Sequence, residues 1–303
     1  MRASRDAELI RPRSRRVGKH LLPYFFVTPL VLFLAFLLVL PVVSAISMSF
    51  QHTALDGTTT WQGVANFVRL FRQTRFQTNV RNSLLYVVGN VGLSIPLAYL
   101  AALLTTSKFK QASFFRAIFL LPWISAPVVS TVLFRAMLDP RTGPIAQFIS
   151  WLAGGQVVIL SHPQLAMVAI IVHSFWRSFP FAMLFLSAGL ASIPDDLRES
   201  AIVDGVGPWQ RFRKVTLPLT SNQLGVALIL ITMWTLQDAE TIYAFTQGGP
   251  GYSTETLAVR LLKMSFINFD LNLGATVGVI LVIVSIAFMS VYLRMAVGED
   301  IER

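Results

Sequence analysis

The chain has 303 residues, 54% of them hydrophobic and 13% charged, with a mean hydropathy of +0.63; soluble domains carry about 25% charged residues, so a soluble globular class is excluded. It has no cysteine, which removes disulfide frameworks, iron–sulfur clusters, thiolate catalysis and Cys-ligated zinc, and its four histidines, His20, His52, His162 and His173, are too scattered for a metal set. The formal charge of +10 is dispersed between apolar blocks and forms no single stripe, which argues for membrane topology over nucleic-acid binding.

Residues 1–20 form a basic tail with seven Arg and Lys, and the next charged residue after Lys19 is Asp56. The apolar block from 21 to about 50 is too long for a signal-peptide core of about 7–15 residues, and is expected to be the first transmembrane helix. Within 61–80, Trp61, Val64, Phe67, Val68 and Phe71 recur at helical spacing with Arg69, Arg72 and Arg75 opposite, the pattern of an interfacial helix. Further spans are expected at 82–107, 114–138, 165–191, 221–246 and 271–293, followed by a short tail, 296–303. The fold class is therefore an all-α integral membrane protein with six transmembrane helices.

An even number of spans puts both termini on one side. That side receives sixteen Lys and Arg and the other eight, although the loops of the second side are longer; the positive-inside rule places both termini in the cytosol. Pro41, Gly92, Pro96, Pro122, Pro127, Pro180 and Gly189 interrupt the apolar blocks. Backbone groups freed in this way need partners in protein or in a water-filled cavity, which favours a bundle around a pathway over passive anchors, although Gly and Pro are also common in ordinary membrane helices.

The connection 192–220, between the fourth and fifth spans, has more structure than a plain loop. Pro194 followed by Asp195, Asp196 and Glu199 is a helix-start signal, Leu197, Ala201 and Ile202 make an apolar stripe, and Asp204-Gly205 is a stop. Pro208 opens a second helix in which Trp209, Phe212 and Val215 share a face, and the segment closes on Leu217-Pro218. Two short helices around a sharp bend make a protrusion able to fill a groove on another protein.

These residues resemble the cytosolic EAA loop in permease subunits of binding-protein-dependent ABC importers: Glu199, Ser200, Ala201, Asp204, Gly205, Val215, Leu217 and Pro218 follow its pattern, with Ser200 and Val206 departing from the usual alanines. Similarity to the carbohydrate-uptake branch, of maltose and glycerol-phosphate type, extends to Gly63-Val-Ala-Asn66-Phe67, Asn82-Ser83, Leu120-Leu121-Pro122, Trp176-Arg177-Ser-Phe-Pro180-Phe181, Ala188-Gly189-Leu190 and the run from Ile242 to Thr254. The resemblance implies a type I ABC importer permease fold and a transport subunit that is not an enzyme. It implies two separate ATP-binding subunits docked at Glu199, Ser200, Ala201, Asp204, Gly205, Leu217 and Pro218, a second permease subunit, an extracytoplasmic solute-binding protein, and a bacterial or archaeal plasma membrane. ATP and Mg would be bound by the partners and no cofactor by this chain, which has no G-x-x-x-x-G-K-[ST] run.

For the Gln247–Thr254 connection, Gly and Pro give turn chemistry, and Gly248, Gly249, Pro250 and Tyr252 are candidate binding-protein contacts or simply a turn. Charge inside a membrane costs on the order of 3 kcal/mol on insertion scales and needs a partner or water. His173, Trp176, Arg177, Asn222, Trp234, Gln237, Asp238 and Glu240 are accordingly candidate pathway residues, with amides and carboxylates for sugar hydroxyls and indoles for ring faces. At 1.5 Å per residue, Arg177 and Asp238 lie about 18 Å and about 13 Å from the outer ends of their helices, close enough in depth to form a purely structural pair. The alternative for the whole chain is a self-contained six-helix channel or secondary carrier.

Overall fold

The structure, a computed structural model, describes residues 18–54, 56–106, 111–194, 196–197, 200 and 204–301. It divides into two units, residues 1–47 and 48–303. The first unit contains most of helix α1 (Gly18–Ser49), whose stretch Val27–Ser49 is long and apolar enough to cross a membrane.

The second unit opens with an antiparallel hairpin, β1 (Gln51–Thr53) and β2 (Thr59–Trp61), paired Gln51 to Trp61. Helices follow: α2 (Ala65–Phe71), α3 (Thr74–Thr106), α4 (Ala112–Ile124), α5 (Pro127–Met137), α6 (Pro144–Leu152), α7 (Pro163–Ala191), α8 (Pro208–Leu219), α9 (Ser221–Gln237), α10 (Glu240–Thr246), α11 (Leu257–Leu262) and α12 (Leu271–Ile301). Among the described residues four helices are long and apolar enough to cross a membrane, and six spans result if the bent pairs α4–α5 and α8–α9 each count as one.

Three expectations change. Residues 61–80 are not one helix: Trp61 ends β2, α2 is seven residues long, and Thr74 already begins the second span, eight residues before the expected Asn82. The 114–138 block bends by 95° between α4 and α5. Pro127 explains this, because its ring drives the preceding residue out of the helical region, and Ala126 is extended with φ −60° and ψ 133°, as is Ser125 before it. The 221–246 block stops at Gln237 and restarts at Glu240 with no Gly or Pro at the break. There the Asp238 carboxylate accepts the Thr241 backbone N–H at 2.9 Å, so a side chain offers the backbone an alternative to the helical ladder.

Packing is tightest where side chains are small. Ala98, Ala101 and Ala102 of α3, Ala182 of α7 and Ala227 of α9 are buried together with Met183, Leu186 and Ile231; small residues let membrane helices approach closely where apolar burial alone gives no preference over lipid. A second cluster gathers Tyr86, Ile170, Ile242 and Phe245, joining α3, α7 and α10. A third joins α2 to α11 and α12 through Leu70, Leu257, Leu273 and Val277. One face of α3 is polar instead: Asn79, Asn82, Ser83, Tyr86, Asn90 and Ser94 are all buried and recur at three- and four-residue spacing.

Candidate functional site

A cavity of about 860 Å³ opens between α3, α5, α7, α9 and α10. Its polar lining comes from α3 (Tyr86, Asn90), α7 (Ser174, Arg177, Ser178) and the α9–α10 junction (Thr235, Gln237, Asp238, Glu240, Thr241), and its aromatic lining includes Trp123, Trp234 and Tyr243. The walls are cross-linked by hydrogen bonds. Asn90 donates to Thr235 Oγ1 at 2.7 Å and accepts from the Ser178 and Ser94 hydroxyls, while the Tyr86 and Ser174 hydroxyls lie 2.6 Å apart.

Asp238 is the joint of this network. Its Oδ2 accepts the Tyr86 hydroxyl at 2.7 Å while its Oδ1 receives Thr241 N–H, so the carboxylate ties α3 to the start of α10. The sequence-based pairing of Arg177 with Asp238 is not found: among the described residues Arg177 forms no ion pair, its buried Nε has no hydrogen-bond partner, and it lines the cavity. Asp238 has no need of it, because two neutral donors already satisfy both oxygens.

Five of the eight candidate pathway residues, Arg177, Trp234, Gln237, Asp238 and Glu240, meet at the cavity. Three do not. His173 is fully buried, its Nε2 lies 3.2 Å from Ser130 Oγ, and its ring packs edge-on to Phe134 and Phe245, a position inside the α5–α7–α10 core. Four-residue spacing from Arg177 did not place it on the cavity, since that wall is set by Ser174, Arg177 and Ser178 instead. Trp176 lies outside the lining, near Phe134 and His173, and Asn222 is exposed in the first turn of α9, far along the helix from Thr235 and Asp238. Tyr86, Asn90, Ser174, Ser178, Thr235 and Trp123 are cavity residues that the sequence reading passed over; the three- and four-residue spacing of polar groups on α3 is the signal that marks Tyr86 and Asn90.

The Gln247–Thr256 segment is clamped to α3. Glu255 is fully buried, paired with Arg75 at 2.6 Å and with Lys263 at 2.8 Å, and Arg260 Nη1 lies 3.9 Å away. The Glu255 backbone carbonyl accepts from the Asn79 and Asn82 amides, and Ser83 Oγ accepts the Leu257 N–H. Burial alone would raise the Glu255 pKa, but hydrogen bonds and charge from Arg75 and Lys263 outweigh it and hold the carboxyl below its ordinary value. Of the candidate binding-protein contacts, Tyr252 is exposed, with the Arg75 guanidinium carbon 3.6 Å from its ring centroid. Gly248 is turned inward: its φ of +84° requires glycine, and a Cβ there would stand 3.0 Å from that of Glu255.

In the 192–220 connection, Asp195, Arg198, Glu199, Ala201, Ile202 and Val203 lie outside the described residues. Asp204 N–H bonds Ser200 O at 2.9 Å, Gly205 follows with φ +71°, and Pro208 occupies the first turn of α8. The turn Phe212–Thr216 is widened to a π-helix, as expected where Pro218 lacks an N–H and its ring would clash with the Lys214 carbonyl. Trp209 and Phe212 stack, but only Phe212 packs inward, edge-on to Tyr99 of α3; Trp209 is exposed. Leu217 packs against the α3–α7–α9 core and Pro218 sits in the last turn of α8.

Bent apolar helices around a polar, aromatic-lined cavity define a multi-pass membrane transport component, a permease subunit and not a catalytic one. The chain belongs to the family of binding-protein-dependent transport system inner membrane components, whose model matches residues 70–297. It is 30% identical over 275 residues to the trehalose/maltose transport system permease protein MalF of Thermococcus litoralis, covering 90% of this chain and 92% of that one. It is 29% identical over 277 residues to the sn-glycerol-3-phosphate transport system permease protein UgpA of Yersinia pseudotuberculosis, covering 90% and 93%. A chain of a bacterial alginate ABC transporter, solved in complex with an alginate pentasaccharide-bound periplasmic protein, superposes with a TM-score of 0.80 at 21% identity, covering 93% and 97%, which establishes the all-α permease fold.

Proposed function

We propose that this chain forms half of the translocation pathway of an importer for a sugar or a related polyol or glycerol-phosphate compound. A second permease subunit supplies the other half, an extracytoplasmic solute-binding protein delivers the substrate, and two separate ATP-binding subunits dock on the 192–220 connection. Both termini then lie in the cytosol. The observation that carries this reading is the cavity: its volume suits a small polar ligand, Asn90, Ser174, Ser178 and Thr235 offer hydrogen bonds to hydroxyl groups, and Trp234 offers an indole face to a sugar ring. The names of the relatives, transporters of trehalose or maltose and of sn-glycerol 3-phosphate, point the same way.

Coupling is assigned to Glu199, Ser200, Ala201, Asp204, Gly205, Leu217 and Pro218. Gly205 makes the bend that presents the segment, and α8 carries any displacement of it into α9, whose far end is the cavity wall. ATP and Mg belong to the partner subunits. Tyr252, held on Arg75, is the contact offered to the binding protein, with Gly248, Gly249 and Pro250 shaping the loop beneath it.

The test is reconstitution. The purified complex in proteoliposomes should take up labelled sugar only with ATP on the cytosolic face and binding protein outside; uptake by this chain alone, without an ATP-binding partner, would replace the importer reading with a self-contained carrier. Because Asp238 is satisfied without Arg177, Arg177→Gln should assemble at normal yield. If Arg177 contacts substrate, the apparent KM for uptake should rise by about tenfold or more, the loss of a charge-assisted hydrogen bond worth about 2 kcal/mol. An unchanged KM removes Arg177 from the substrate site.

A further inference from the structure

The short helix α2 carries an exposed surface that lies outside the cavity lining. Its inner side is fixed: Leu70 is buried against the start of α12, and the buried Asn66 amide donates to the Ser49 and Gln51 carbonyls at 3.0 and 2.8 Å. The Asn272 amide bonds the Met48 carbonyl, and the Thr276 hydroxyl bonds the Ser49 carbonyl. The helix is therefore held at the boundary where α3 and α12 begin, which is the edge of the bilayer for a chain that crosses it there.

The outward side of α2 is apolar along one strip and cationic along the next. At 3.6 residues per turn, Val64, Val68 and Phe71 fall within an arc of about 60°, and Arg72 and Arg69 follow on one flank. All five side chains are exposed. A shallow, open depression lined by Ala65, Val68, Arg69 and Arg72 lies between the strips. Among the described residues neither arginine forms an ion pair or a side-chain hydrogen bond, and the sequence has no Asp or Glu between Asp56 and Asp139 to supply one locally. Arg75, the next basic residue, is already committed to Glu255.

The geometry points to a phospholipid site: the Val64–Val68–Phe71 strip lies against acyl chain, and the Arg69 and Arg72 guanidiniums bind the phosphate of an anionic headgroup. An interfacial helix needs apolar area at acyl depth and cations at headgroup depth, side by side, and two unpaired guanidiniums complement a phosphodiester at charge and at hydrogen-bonding geometry. An acidic protein surface would be matched by the arginines but would leave the exposed Val64, Val68 and Phe71 strip without a role, so lipid accounts for both strips and protein for one.

The experiment uses the full-length chain purified with its partner subunits. The complex is exchanged into phosphatidylcholine nanodiscs, titrated with phosphatidylglycerol, and its bound lipid counted by native mass spectrometry. Wild type and an Arg141→Gln control should retain phosphatidylglycerol equally. Arg69→Gln/Arg72→Gln should weaken retention at least tenfold, and the uncharged polar change Val68→Asn should weaken it with both arginines intact. Excess inorganic phosphate should not displace the lipid. Equal retention by the double variant would overturn the proposal, as would full displacement by phosphate, which would mark a free-anion site. Unchanged retention together with a loss of binding-protein stimulation in the double variant would assign the face to protein docking instead.

Discussion

Glu255 illustrates how much one side chain can hold. It is a fully buried carboxylate among Arg75, Lys263 and Arg260, and removing its charge leaves Arg75 and Lys263 without the carboxylate they bond. Breaking a buried ion pair from one side typically costs about 3 kcal/mol or more, because the partner charge stays buried. Glu255→Gln should therefore lower the melting temperature of the solubilised complex, and a double change that also neutralises Arg75 should recover part of the loss. The sign of the pH dependence follows from the depressed pKa: the stabilisation is present above the carboxyl's ordinary value and is lost as pH falls through the lower folded value. Melting curves of wild type and Glu255→Gln should converge on acidification below pH 4.5; a constant offset would show that the charge is not what Glu255 contributes. No sequence pattern announces this cluster, since Arg75 and Glu255 are 180 residues apart.

Among the elements, the long apolar helices were legible because bilayer crossing requires about 20 apolar residues in a row, which a single sequence displays directly. Their breaks were legible only in part. Pro127 was visible as an interruption, yet the 95° bend depends on Ser125 as well as Ala126 being extended, and the proline restricts only the residue directly before it. The α9–α10 break was invisible, because an Asp inside an apolar run reads as an intramembrane charge and gives no sign that it will capture Thr241 N–H. Spacing likewise put His173 beside Arg177 on α7, but one helix face is wide enough to divide between core and cavity. The Gly205 bend was readable, since only a left-handed turn makes glycine necessary there, and the observed φ of +71° is that conformation. Gly205→Ala should strain it by about 1–2 kcal/mol. Insertion should be unaffected, while the number of ATP molecules hydrolysed per substrate imported should rise; an unchanged ratio would remove Gly205 from coupling.

At the scale of the whole molecule, counting the bent pairs as single spans gives six among the described residues, the number on which the sixteen-to-eight division of basic residues rests. The chain has no native cysteine, so every introduced one reports alone. A cysteine at Gln247 should react with a membrane-impermeant maleimide in intact cells, and one at Gln210 only after permeabilisation. The reverse pattern would invert the orientation and with it the assignment of α8 to the ATP-binding subunits. The family and the architecture were within reach of the sequence because motifs spread across it describe one scaffold. The cavity was not, because its walls are set by which hydroxyls of α3 and α7 happen to face each other.

The polar face of α3 also bears on how the protein is made. Asn79, Asn82, Ser83, Tyr86 and Asn90 find their partners on α7, at the α9–α10 junction and in the 252–257 segment, all of which leave the ribosome after α3 does. During that interval the helix is apolar enough to enter the bilayer yet carries unsatisfied amides and hydroxyls that lipid cannot solvate. It is thus a provisional span: biogenesis must shelter one side of it, in the insertion machinery or against an early neighbour, until the C-terminal half of the chain arrives. A truncation ending after α7 would leave the Asn90 amide, whose acceptor is Thr235, exposed to that same environment, which makes such fragments natural substrates for membrane quality control.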